Sequence, residues 1–231
     1  MMHLKCRNID FRYPGTDKRI LKNVSLDIAE PGFHAFFGPS GVGKTSLAHI
    51  ISGQLTDFAG EIAKDSLNTV LYAYNLERLP GWSPIGRHLE RITPTHKHDI
   101  KNELIKVFDL KPLLSQRFSQ LSLGQQNRIN LVRYLVQEFD LLIMDESLAN
   151  VDEMTRGRIL MAIKEMFAGA MFVYISHNVV EVAKFCQKIW VLRDVGKSPQ
   201  AVVVRGLDLS RNNQPDQKVL QHAMLEIMNA A

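Results

Sequence analysis

Apolar residues in this chain come in short runs broken by glycine, proline and polar stretches, and most runs have strand length. Residues 4–13 and 23–28 read as strands, with Pro14-Gly15 as the turn signal between them. Phe33-His34-Ala35-Phe36-Phe37 predicts a buried strand that runs into a glycine-rich loop, and Lys44 to Ile51 predicts a helix stopped by Ser52-Gly53. Thr69 to Tyr74 reads as the next strand. Strand, loop, helix and strand in that order favour a parallel sheet flanked by helices. The pattern changes near residue 77, where Pro80, Gly81, Pro84 and Gly86 punctuate a loop, and helical segments are predicted at 98–109 and 124–137. Strands return at 140–145, 170–175 and 187–192, with a helix at 153–167 between the first two. A short strand at 201–205, a polar turn-rich stretch at 206–216 and a helix at 216–229 complete the reading. No internal repeat or low-complexity tract interrupts it, so residues 77–125 read as a mostly helical insert in an α/β core.

Composition narrows the picture. With 231 residues and 45% hydrophobic content, the chain suits one sizeable core with an inserted subdomain. The net charge of +4 comes without a long Lys/Arg run, so nucleic acid is not an expected partner. A mildly basic face toward an anionic membrane leaflet stays open. Cys6 and Cys186 have no metal-ligand spacing, and two buried reduced thiols are expected rather than a disulfide. No apolar signal core follows the N-terminus, and no stretch approaches the ~18 apolar residues of a spanning helix. A soluble chain is therefore expected, which acts at a membrane only by borrowing a membrane part.

Two segments carry phosphate chemistry. Gly38-Pro39-Ser40-Gly41-Val42-Gly43-Lys44-Thr45 matches G-x-x-x-x-G-K-[ST] in full. The glycines let successive N–H groups turn toward phosphate oxygens, and the following helix offers its positive end to the same anion. Lys44 is placed to reach the β- and γ-phosphates of a nucleotide and the Thr45 hydroxyl to ligate Mg²⁺. Leu141-Leu142-Ile143-Met144-Asp145-Glu146 is an apolar strand ending in two carboxylates. Asp145 is expected to bind Mg²⁺ through its water shell, and Glu146 to orient and polarise the attacking water.

With these residues in place, the chain resembles the nucleotide-binding subunit of an ABC transporter over almost its whole length. Leu121-Ser122-Leu123-Gly124-Gln125 is similar to the family signature L-S-G-G-Q, and Ala149-Asn150-Val151-Asp152 to the loop written S-A-L-D. His177 is similar to the switch histidine, and Tyr13 to the aromatic residue that stacks on adenine. The resemblance implies a P-loop NTPase core of 1–76 and 126–231 with a β-rich edge and a helical signature subdomain at 77–125. It implies ATP and Mg²⁺ as cofactors, with Ser46 added to the nucleotide contacts of residues 38–45, Asn75 to the Mg²⁺ ligands and Asp152 to communication across a dimer. Two such subunits, identical or homologous, would sandwich two ATP molecules head to tail, each touching the P-loop of one copy and the signature of the other. Membrane permease subunits and an extracytoplasmic solute-binding protein are the implied partners, and the inner face of the cell membrane the implied location.

Three positions depart from the family pattern. Leu123 replaces the first signature glycine, which restricts the backbone. Asn75 stands where glutamine is usual and is one methylene shorter, which raises the reading of a copy that binds ATP but hydrolyses it poorly. Ser147 replaces a proline, with tolerance expected. Leu79-Pro80-Gly81-Trp82 is similar to the L-L-P-W of the nitrate/sulfonate/taurine import group, and the short spacing from Lys44 to Ser122 suits that group. The competing reading of Trp82 is a subdomain core residue. The rival function is a soluble ABC-type ATPase in assembly or remodelling.

Overall fold

The computed structural model describes residues 2–75, 77, 81–210 and 216–231. Its centre is a six-stranded sheet in the order β5-β6-β7-β3-β8-β9. These strands are β3 (Gly32–Phe37), β5 (Val70–Tyr74), β6 (Leu141–Asp145), β7 (Met171–Ile175), β8 (Lys188–Leu192) and β9 (Ala201–Arg205). All neighbours pair in parallel except β9, which closes the edge antiparallel to β8. The inner strands are mostly apolar because both sheet faces are covered. On β6, Leu142 and Met144 join one core while Leu141 and Ile143 join the other, and on β3 Phe33 and Ala35 oppose Phe36 in the same alternation.

One face packs against α1 (Lys44–Ser52) and a three-stranded antiparallel sheet, ordered β2-β1-β4. Its strands are β1 (His3–Arg12), β2 (Arg19–Ile28) and β4 (Ala59–Asp65). The other face packs against α4 (Leu123–Leu135), α5 (Glu153–Met166), α6 (Val179–Phe185) and α7 (Gln217–Ala230). Residues of α2 (Ile85–Ile92) and α3 (His98–Val107) join that core through Ile85, Leu89 and Leu104. Phe33 and Phe172 stack at its base with ring centroids 4.5 Å apart.

Three elements were not anticipated. β4 is largely exposed, with a polar sequence, and is held by its backbone ladder to β1. α2 begins after Pro84 and contains Gly86, both of which read as loop punctuation; Pro84 sits at the N-cap, where a missing N–H costs nothing. α6 is seven residues long and begins directly after the His177 turn. The stop at Gly53 is as expected, with φ +82° and its N–H returned to the last turn of α1.

The loop at Gly38 and the carboxylates beside it

The β3–α1 connection is built on glycine where it must be. Gly38 has φ +140°, and a β-carbon there would lie 2.1 Å from the Leu192 carbonyl oxygen. Gly43 has φ +103°, and its β-carbon would lie 2.6 Å from Leu21 Cδ2. Gly43 also caps α1 without a side-chain acceptor, and the first turn of α1 carries no acidic residue. Its leading N–H groups therefore face outward beside Ser40, Gly41 and Val42, the arrangement that favours an anion. Lys44 is buried, and its Nζ donates to the Gly38 and Pro39 carbonyls at 2.8 Å each. Burial lowers the Lys44 pKa, while the charges of Asp145 and Glu146 oppose that shift.

Asp145 ends β6 beneath this loop. Its Oδ2 accepts from Thr45 Oγ1 at 2.8 Å and from Tyr72 Oη at 2.8 Å. Tyr72 was not singled out in the sequence. Its ring lies edge-on to His49 at 4.7 Å and stacks on Tyr74 at 5.8 Å. Burial, then the Asp145 charge, raises its pKa well above the ordinary phenol value. Glu146 takes a left-handed conformation, φ +49°, and its N–H donates to the Ile175 carbonyl at 3.0 Å. That turn brings its carboxylate against His177 Nε2. Ser147 Oγ donates to the Ala73 carbonyl at 2.9 Å, which ties the exits of β5 and β6 together and gives serine a use where proline is usual.

The His177 turn is held from below by a second group that sequence reasoning missed. Buried Glu181 accepts from Tyr174 Oη at 2.7 Å, Ser176 Oγ at 3.2 Å and Asn178 Nδ2 at 3.1 Å, and it pairs with Arg156. Tyr13, 41% exposed, sets its hydroxyl 2.9 Å from Ser46 Oγ, which places its ring beside the start of α1.

The Leu121–Gln125 segment opens α4. Leu121 is buried, and Ser122 and Gln125 cap reciprocally: Gln125 N donates to Ser122 Oγ at 3.3 Å and Ser122 N to Gln125 Oε1 at 2.9 Å. Leu123 is the first helical residue and half-exposed, so its side chain meets no steric demand for glycine. Gly124 does meet one, because a β-carbon there would lie 2.2 Å from the Asn150 carbonyl oxygen. Asp152 caps α5 by accepting from Thr155 N at 2.9 Å, and that hydrogen bond lowers its pKa. Asn75 donates its N–H to the Asp145 carbonyl at 3.2 Å, while its Oδ1 accepts from Asn127 Nδ2 at 2.9 Å. Leu79 and Pro80 lie outside the described residues; Trp82 is 74% exposed, which removes the reading of it as a core residue. Cys6 and Cys186 are free and buried, and burial pushes the Cys6 thiol up to about 12 and Cys186 upward as well.

A sequence profile described as "ABC transporter" matches residues 21–149, more than half of the chain. The chain belongs to the ABC transporter family. Among curated ABC relatives, it is 28% identical over 209 residues to the sn-glycerol-3-phosphate import ATP-binding protein UgpC of Chromobacterium violaceum, covering 83% of this chain and 56% of that protein. It is 28% identical to the spermidine/putrescine import ATP-binding protein PotA of Aliivibrio fischeri, covering 77% of this chain and 52% of the relative. The chain thus spans about half the length of the curated relatives it matches. Among solved structures, a bacterial Atm1-family ABC exporter with ATP bound matches with a TM-score of 0.78 at 21% identity, covering all of this chain and 42% of the other. A metal-chelate type ABC transporter in an inward-facing conformation matches with a TM-score of 0.70 at 17% identity, covering 89% and 84%. The ABC fold, a P-loop α/β core, is shared with both.

Proposed function

We propose that this chain is the ATP-binding and hydrolysing subunit that powers passage of a small solute across the cytoplasmic membrane, in the import direction. The carrying observation is a pair of contacts at the ends of adjacent strands β6 and β7, beside the loop that follows β3: Thr45 with Asp145, and Glu146 with His177. The names of the two curated relatives above, both import ATP-binding proteins, support the direction. Among the described residues no helix is long and apolar enough to cross a membrane, so the pathway itself would belong to permease subunits. In this reading the chain sits peripherally on the inner membrane face.

The loop N–H groups and Lys44 bind the ATP phosphates, while Tyr13 lies against the base. Thr45 Oγ1 and Asp145 Oδ2, 2.8 Å apart, are adjacent hard oxygen donors of the kind Mg²⁺ prefers, so the site fits that ion. Mg²⁺ supplies charge neutralisation at the β- and γ-phosphates when bound. Glu146 accepts the proton of the attacking water on its carboxylate, and His177, in a turn that Glu181 braces through Ser176 and Asn178, contacts the γ-phosphate. Ser122 and Gly124 complete the site of a second copy, or of a homologous subunit, and Asp152 relays between the two. We place the helical signature subdomain at 77–125 within the 1–76 and 126–231 core. Exposed Trp82 and the short Lys44–Ser122 spacing favour the nitrate/sulfonate/taurine import group, with a solute-binding protein outside the membrane.

Glu146→Gln is expected to lower ATP turnover by roughly 10²–10⁴-fold with ATP binding retained, as measured by phosphate release and by equilibrium binding. Turnover close to that of the unsubstituted chain would remove Glu146 as the base. Purification from membranes should bring down a hydrophobic partner; recovery solely in a soluble complex would instead support assembly or remodelling work.

A further inference from the structure

Asn127 is buried on α4 and spends one amide group on two loops. Its Nδ2 donates to the Ala149 carbonyl at 2.6 Å and to Asn75 Oδ1 at 2.9 Å. A backbone carbonyl only accepts, so the Ala149 contact fixes which end of the Asn127 amide is NH₂. The second hydrogen then fixes Asn75 with its oxygen toward α4. We infer that Asn127 is a positioning residue that ties the Asn75 loop and the Ala149–Asn150 loop to the helix opened by the signature segment, so that both loops move with that helix.

The rest of the same helix face supports this. Positions three and four apart line one side of a helix. Gly124, one turn before Asn127, admits the Asn150 carbonyl where any β-carbon would collide. One turn after, Asn130 Nδ2 donates to the Glu77 carbonyl at 2.7 Å. A further turn on, Tyr134 Oη donates to Glu77 Oε2 at 2.7 Å, and Arg133 pairs with the same carboxylate. The stripe therefore grips Asn75 and Glu77 on one side and Ala149 and Asn150 on the other, and among the described residues of this stripe Asn127 bonds to both sides. Asparagine at 75 suits this arrangement, because its shorter side chain meets the Asn127 amide at hydrogen-bond length. Asn75 is thereby linked to α4 through one lone pair of its oxygen.

The inference rests on the proposed ATPase reading for its effect on turnover, while the loop coupling itself is readable without nucleotide. Asn127→Asp keeps the shape and replaces the donor with an acceptor; Asn127→Leu removes the hydrogen bonds without a buried charge and serves if the carboxylate prevents folding. In hydrogen exchange of the full chain without nucleotide, either variant should raise exchange in the segments containing Asn75 and Ala149–Asp152 together, while β6 stays protected. In ATPase assays, kcat should fall by about tenfold with KM for ATP changed less than about twofold. The double variant Asn75→Ala with Asn127→Asp should turn over no more slowly than the slower single variant, because both break one linkage. Exchange that rises in one loop alone, or rate losses that multiply in the double variant, would overturn the inference. Coupled exchange in the Asn127 variants, beside an unsubstituted chain that hydrolyses no ATP, would overturn the proposed function and leave the linkage standing.

Discussion

At the scale of residues, Asp145 does not act alone. One of its oxygens is shared by Thr45 and Tyr72, and a donor to a carboxylate is worth more than a neutral hydrogen bond, about 1.5–3 kcal/mol. Tyr72→Phe keeps the ring against His49 and Tyr74 but removes that donor. The variant should need several-fold more Mg²⁺ for half-maximal ATP turnover, with nucleotide affinity in EDTA unchanged; titration of Mg²⁺ in both assays checks it. The two carboxylates and the glycine loop were legible in sequence because their chemistry is local to a few consecutive residues. Tyr72, Asn127 and Glu181 were not, because each earns its role from partners on other strands, helices or loops. Tyr72 meets Asp145 across 73 positions of sequence, and Asn127 meets Asn75 across 52.

Elements follow the same division. Strands β3, β6 and β7 were legible because burial on both faces makes them almost continuously apolar, with His34 in β3 and Asp145 at the end of β6 as exceptions. β4 has no buried residue to mark it, and α2 starts on the proline and glycine that usually signal a loop. Helix α4 shows how two neighbouring positions of the signature differ. Leu123 is the first, half-exposed residue of the helix, so the absence of glycine there is accommodated. Gly124 faces the Asn150 carbonyl at a distance no β-carbon tolerates. Gly124→Ala should therefore destabilise the fold by about 1–3 kcal/mol, the usual cost of overpacking, whereas Leu123→Gly should cost no more than about 1 kcal/mol. Urea midpoints of the two variants, with unchanged slopes, decide between them.

At the scale of the whole molecule, the described residues form two hydrophobic cores back to back across one sheet, and each contains one thiol. Cys6 lies in the core under the small antiparallel sheet and Cys186 in the core under the helices. Burial holds the Cys6 thiol at about 12 and raises Cys186 too, so both stay protonated and inert at pH 8 in the folded chain. Alkylation at pH 8 should modify neither thiol until denaturant is added, and the order in which they become reactive reports which core opens first. In the proposed function, Gly38–Thr45, Asp145–Glu146 and His177 would form one half of a site at the sheet's loop end, and Ser122 and Gly124 would complete the site of a second copy. The central claim, that the site closes on a second subunit's signature, is tested most directly by light scattering of Glu146→Gln with ATP and Mg²⁺. The predicted result is a doubling of mass with ATP that is absent with ADP and lost in the Lys44→Ala background. A single-copy mass at saturating ATP, with nucleotide binding measured in the same sample, would contradict it.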